Sequence, residues 1–157
     1  EQTKPIAAHV TFLEKSEQAA GYLRQNLHRH GLEHRSTVLV GDLCNGFSAF
    51  SSFPGVPASP DLLISNPPYL RTAELETLQP ELQKEPVQAL DGGPDGLLFY
   101  RVLQKQWLPA LAPGAFYCVE GGEDQAEQIA ALFRPLCQTA EIKADAFSVR
   151  RFVYGIK

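Results

Sequence analysis

The tetrapeptide Asn66-Pro67-Pro68-Tyr69 places a carboxamide, two successive prolines and an aromatic ring side by side. Proline fixes φ, lacks an N–H and restricts the residue before it, so two in a row hold the neighbouring carbonyls in set directions. The loop then offers one carboxamide oxygen, carbonyl oxygens without a competing donor from either proline, and one ring face. That set suits a planar NH2 group. Two acceptors take its two hydrogens, the ring packs on its plane, and the lone pair faces outward, so an amide or an aromatic amine fits. Such a nitrogen is a poor nucleophile because its lone pair is delocalised. Positioning it against a strongly electrophilic carbon and stabilising the developing positive charge would be the main catalytic contributions. An Asn-Pro pair by itself is more often only a turn; here the apolar strand before it and the aromatic after it favour function.

Three carboxylates also follow expected strands: Glu14, Asp42 and Glu120. In an open parallel α/β sheet, ligands bind at the carboxyl ends of the strands, where a carboxylate can grip ribose hydroxyls. Glu14 occupies such a position, although an acidic residue there also suits the start of a helix. Asp42 could accept from an adenine amine with Leu43 against the ring; the plainer reading is a solvated turn. His28, His30 and His34 sit in or beyond the last turn of a helix, where polar or cationic side chains suit the helix end. With no Cys or carboxylate at ligand spacing they read as surface residues, and no metal site is expected. Trp107 and the phenylalanines are more often core than a cofactor platform, and no role is assigned to them.

The elements that must carry these residues alternate. Residues 6–13 read as a strand, with Ser16 as N-cap and Gly31 ending the helix that follows. A second strand spans 36–40, and 45–60 is rich in Gly, Ser and Pro and reads as loop. Residues 61–65 form a short apolar strand of the kind covered on both faces. The long connection from 70 to 96 carries a weak helical stretch over 72–82. A helix over 97–108 is closed by Pro109, a fourth strand spans 115–120, a helix spans 124–133, and strands at 138–143 and 148–156 pair antiparallel. The fold class is α/β with a mainly parallel sheet and right-handed crossovers.

The chain has 157 residues with a net charge of −4 and 44% hydrophobic residues, which fits one compact soluble domain. An acidic balance with Arg150-Arg151 as its only basic pair gives no footprint for phosphate backbones. Neither a signal peptide nor a membrane-spanning run is expected. Cys44, Cys118 and Cys137 form no CxxC, which suits reduced, buried thiols and a cytoplasmic location. Because the sequence contains no Met, Glu1 is not expected to be a translation start, and an upstream portion is expected.

Taken together, Asn66-Pro67-Pro68-Tyr69, Glu85-Pro86, Ala89-Leu90, Gly92-Gly93, Asp95-Gly96-Leu97 and Tyr100-Arg101 resemble the HemK family of protein-glutamine N5-methyltransferases, the release-factor-modifying PrmC type. Glu120-Gly121 with Gln125 continues the resemblance, which covers nearly the whole chain. Asn-Pro-Pro-Tyr alone is shared among amino-group methyltransferases; the stretch from Glu85 to Arg101 narrows the match. The resemblance implies a Rossmann-like class I methyltransferase fold with seven strands, the last antiparallel. It implies S-adenosyl-L-methionine as methyl donor and, as acceptor, the glutamine of the Gly-Gly-Gln loop in peptide-chain release factors. Carried over, Asn66 and the Pro67 carbonyl hold the amide hydrogens, Pro68 and Tyr69 complete the substrate loop, and Tyr69 packs on the amide. Glu14 takes the donor ribose, Asp42 and Leu43 its adenine end, and Asn66 also borders the donor. Residues 145–150 replace a more glycine-containing family pattern.

The departure lies upstream. Family members carry a Gly-rich cofactor loop about 20 residues before the ribose carboxylate, and this chain has too few residues ahead of its first strand to hold it. Residues 1–157 are therefore expected to be a partial catalytic domain without its N-terminal part, with exposed strand edges and weak or no donor binding of its own. Two rival readings remain open: an adenine-N6 or guanine-N2 nucleic-acid methyltransferase, disfavoured by charge, and a non-catalytic methyltransferase-like binding domain.

Overall fold

A computed structural model describes residues 8–157, which form two compact units, one running to Ala58 and the other Ser59–Lys157. Residues 6 and 7 of the expected first strand lie outside the described residues. Hydrogen bonding divides the described strands into a two-stranded and a four-stranded sheet.

In the first unit, β1 (Val10–Glu14) leads through α1 (Glu17–Arg29) to β2 (Ser36–Val40), which lies parallel to β1 with Glu14 opposite Val40. The Ser16 hydroxyl accepts from the Ala19 amide at 3.3 Å, and Ser16 donates its own amide to Glu14 Oε1 at 2.7 Å. The start of the helix and the end of the strand are thereby tied together. Ala20 and Leu27 form its buried stripe, and Gly31, at φ +66°, takes the left-handed conformation that ends the helix. Beyond β2, short 3₁₀ turns at Leu43–Asn45 and Phe47–Ala49 bury Phe47 and place Phe50 in the core.

The second unit holds β3 (Leu62–Ser65), α2 (Leu98–Val102), β4 (Phe116–Glu120), α3 (Ala126–Phe133), β5 (Glu141–Ala144) and β6 (Arg150–Ile156). Its sheet runs β3-β4-β6-β5; β3 and β4 are parallel, and β6 is antiparallel to both of its neighbours. On one face Tyr117, Val119 and Val153 are buried with Ile129 and Phe133 of α3, the Tyr117 and Phe133 rings meeting edge-on at 5.4 Å. Truncating Phe133 to Ala would cost about 3–5 kcal/mol, since the helix rests on that ring.

The expectation that 61–65 is covered on both faces is corrected: Leu62 and Ile64 are exposed, Ile64 at 71%. β3 has β4 as its single partner within this sheet, while α3 packs on β5 and β6. The expected helix over 97–108 is also corrected. After α2 the chain widens into a π-type turn at Leu103–Trp107 and tightens to a 3₁₀ turn at Leu108–Ala110. Pro109 has no N–H for the carbonyl four residues back and its ring crowds that carbonyl, so the regular α ladder cannot run into it. The weak helical stretch over 72–82 is a 3₁₀ turn at Thr72–Thr77 followed by another at Leu82–Lys84.

Candidate functional site

The loop 66–71 begins where β3 stops at Ser65. Asn66 is exposed, Pro67 is buried, and Pro68 and Tyr69 are half-buried. Backbone contacts then clamp the loop. Leu70 donates to the Leu90 carbonyl at 3.0 Å and accepts from Gly92 at 2.8 Å, making a short parallel bridge with Asp91. Thr72 donates to the Gly93 carbonyl at 3.0 Å, while its hydroxyl donates to Asp91 Oδ1 at 2.8 Å. A Cβ on Gly92 would lie 2.7 Å from Tyr69 Cα and 2.9 Å from the Pro68 carbonyl oxygen. Gly96, at φ +72°, lies so near that a Cβ there would overlap both the Tyr69 carbonyl oxygen and the Gln125 side-chain nitrogen. Gly92 and Gly96 therefore form the wall on which the Asn-Pro-Pro-Tyr loop lies.

From the other side, Gln125 Nε2 donates to the Tyr69 carbonyl at 2.9 Å, while Gln125 Oε1 accepts from the Gly122 amide at 2.9 Å. Tyr100 donates its hydroxyl to the Glu120 carbonyl at 2.6 Å, and burial pushes that phenol above its ordinary range, so it remains a neutral donor. Beside Tyr69 a cleft of about 220 Å³ opens, bordered by Arg71, Glu74, Asp124 and Arg151. Arg71 bridges it, pairing with Glu74 at 2.8 Å and Asp124 at 2.5 Å. Asp95 is held down to about 2, first by the Arg101 guanidinium and then by the Leu97 amide.

Glu14 and Asp42 lie in the first unit, at the carboxyl ends of neighbouring parallel strands. Gly41 donates its amide to the Glu14 carbonyl at 2.9 Å, which continues the ladder past the strand ends. Glu14 Oε1 is taken by Ser16, and among the described residues Oε2 has no hydrogen-bond partner. Asp42 caps the 3₁₀ turn Leu43–Asn45, with Oδ1 accepting from the Cys44 amide at 2.8 Å and Oδ2 2.7 Å from Lys15 Nζ. The Lys15 ammonium, then the Cys44 amide, hold its carboxyl below the usual range. The four residues of the expected substrate loop thus stand together in one unit. The two expected donor-binding carboxylates stand together in the other.

Sequence reasoning missed Gln125 and the glycines as parts of the site's framework. The signal lay in helical spacing: Gln125, Ile129 and Phe133 share one buried stripe, and a polar residue on such a stripe requires partners. The histidines stand on the surface as expected, although His28 Nδ1 lies 2.9 Å from Glu33. Among the described residues no three His, Cys, Asp or Glu side chains gather into a possible metal site. The buried-thiol expectation is corrected: all three cysteines are free, but Cys44 is exposed, on the turn that Asp42 caps, and Cys118 and Cys137 are half-buried. No helix of the described residues is long and apolar enough to cross a membrane.

No protein-family model matches the chain. Among curated proteins, the release factor glutamine methyltransferase of Caulobacter vibrioides is 39% identical over 154 residues, which is 96% of this chain and 50% of the relative. That of Geobacter sulfurreducens is 41% identical over 129 residues, 80% of this chain and 41% of the relative. The chain thus spans about half the length of the curated relatives it matches. Among solved structures, a methyltransferase from Pyrococcus furiosus superposes with a TM-score of 0.64 at 20% identity, covering 98% of this chain and 65% of that one. The release-factor-specific protein-(glutamine-N5) methyltransferase of Alicyclobacillus acidocaldarius gives 0.56 at 18% identity, covering 99% and 83%. Over nearly its whole length, therefore, the chain is a homologue of release factor glutamine methyltransferases, built on the Rossmann-like fold of class I methyltransferases with an antiparallel C-terminal strand.

Proposed function

We propose that the protein carrying this chain is an S-adenosyl-L-methionine-dependent enzyme that methylates the side-chain amide nitrogen of the glutamine in the Gly-Gly-Gln loop of peptide-chain release factors. The observation that carries this reading is the Asn66-Pro67-Pro68-Tyr69 loop at the end of β3, with an exposed carboxamide at its tip and its spine clamped by Gly92, Gly96 and Gln125.

The residues of the first unit fit a nucleoside-bearing donor. Glu14 holds one carboxylate oxygen without a partner among the described residues, which suits a ribose hydroxyl. Asp42, ionised by Lys15 and the Cys44 amide, keeps unused lone pairs on both oxygens for an adenine amine, and Leu43 follows it at the start of the turn. The bound donor supplies an electrophilic methyl carbon on a sulfonium. Attack on that carbon would leave the C–S electron pair on sulfur, and the amide nitrogen would lose one proton to water.

Everything else is positioning. Asn66 Oδ1 and the Pro67 carbonyl take the two amide hydrogens, which turns the nitrogen lone pair away from them and stabilises the charge it gains. Tyr69 and Pro68 pack along the amide plane, and Asn66 also borders the donor. No general base is required, because the amide N–H becomes acidic as the bond forms.

Charge supports a protein acceptor over a nucleic acid. The basic pair is offset by acidic neighbours, with Arg150 on Glu127 at 2.8 Å and Arg151 on Asp145 at 2.9 Å, which leaves little net positive charge there for phosphates. Three free cysteines support a reducing, cytoplasmic setting. The test is a labelled-methyl assay on the complete gene product, offering release factor, DNA and RNA side by side. Label on the release-factor glutamine is expected; methylated nucleic acid with unmodified release factor would overturn the reading, and no donor binding by calorimetry would leave a non-catalytic domain in its place.

A further inference from the structure

We propose that Gln125 is a positioning residue that sets the direction of the Asn66-Pro67-Pro68-Tyr69 loop through the Tyr69 carbonyl. The catalytic part of this inference rests on the reading under Proposed function; the hold on the loop does not.

Gln125 is 2% exposed and, apart from tyrosines, is the one buried polar side chain among the described residues. Both ends of its carboxamide are used, and the partners leave no choice of orientation. The Tyr69 carbonyl can only accept and the Gly122 amide can only donate, so Nε2 must face the loop and Oε1 the turn after β4. The bond to Tyr69 spans 56 residues of sequence and joins the ends of the two parallel strands β3 and β4, the edge where this fold class places its chemistry.

The surroundings are built for that one contact. Gly96 has no side chain where the carboxamide meets the Tyr69 carbonyl, and any Cβ there would displace both. A Cβ on Gly122 would lie 3.0 Å from Gln125 Oε1. An apolar side chain would fill the same volume without needing partners, so a carboxamide at this point serves direction more than packing. Tyr69 is one peptide beyond the diproline, whose fixed φ angles leave little freedom upstream. Fixing the Tyr69 carbonyl therefore orients the Pro67 carbonyl and Asn66 as a unit.

The test uses the complete gene product with Gln125→Met, which keeps the volume and removes both hydrogen bonds. Two readouts are compared. Amide hydrogen exchange at Leu70 and Gly92 is expected to quicken about ten-fold, while Tyr117 and Val153 in β4 and β6 stay within about two-fold. In release-factor methylation, kcat is expected to fall by roughly 10- to 100-fold with KM for the release factor within about three-fold. Unchanged exchange at Leu70 and Gly92 would overturn the proposal. So would loosening of β4 and β6 to the same degree, which is the mark of a purely structural role. A loosened loop with unchanged kcat would remove its catalytic part. If Gln125→Met does not fold, Gln125→Leu is read the same way, since it too removes both the donor to Tyr69 and the acceptor for Gly122. Should the unsubstituted protein leave release factor unmethylated, the functional reading falls, and the exchange data alone still decide whether Gln125 holds the loop.

Discussion

The turn after β1 and the loop after β3 both finish a parallel strand with polar groups, yet they are held by opposite means. Around Glu14 and Asp42 the contacts end on carboxylates and are partly exposed: the Ser16 and Cys44 amides donate to them, and Lys15, 58% exposed, lies 2.7 Å from Asp42. Around Tyr69 they are buried and backbone-directed, with Gln125 and two glycines pressed on the chain itself. An exposed ion pair contributes about 0–1 kcal/mol and yields to salt, whereas a buried hydrogen bond costs about 1–3 kcal/mol to leave unmade. The carboxylates can therefore adjust to a ligand at little cost, and the diproline loop cannot. Under the function proposed above, this division suits donor binding that tolerates adjustment and a poor nucleophile that must be aimed.

The largest effect should come from the aimed side. Asn66→Ala in the complete gene product is expected to lower kcat by about 10²- to 10³-fold with donor affinity nearly unchanged, as measured by steady-state methylation and donor titration. Lost donor binding with preserved turnover would reverse the two regions' roles. Next comes the adjustable side: Glu14→Gln keeps an acceptor for Ser16 but loses the charge, and should weaken donor binding by roughly ten-fold in calorimetry while kcat at saturating donor stays put. A comparable fall in kcat would erase the contrast.

The smallest effect sharpens the boundary between them. Asp95 sits beside the glycine wall but is an exposed, ionic feature there, paired with Arg101 and held at about 2. Arg101→Gln should return that carboxyl toward the ordinary value of about 3.9, as carboxyl NMR titration would read. Because the native carboxyl is depressed, the pair's contribution is present above the unfolded value and lost as pH falls toward about 2. The unsubstituted protein and the variant should thus differ slightly at neutral pH and converge across that acid window.

Much of the fold was legible where a local rule acts alone. The strand at 36–40 has the observed bounds, Ser16 caps α1, and the C-terminal strands pair antiparallel as read. Rules failed where distant parts of the chain decide. Pro109 was read as closing a regular helix, but it reshapes the turn before it into a wider one. The apolar run 61–65 shows composition without showing which face a helix covers, so the exposure of Leu62 and Ile64 was hidden. In the site, the chemistry of the four loop residues was readable because they are contiguous. Their clamp was not, because Gln125 and the glycines come from 56 and fewer residues away and act on backbone, leaving no complementary side-chain pattern to read.

Gly92 and Gly96 have one more consequence. With a hydrogen where other residues carry carbon, they have nothing left to trim, and enlarging either would push on Tyr69 itself. Under the function proposed above, drift toward a different acceptor would proceed at the rim, where Arg71 pairs with Asp124 through side chains alone.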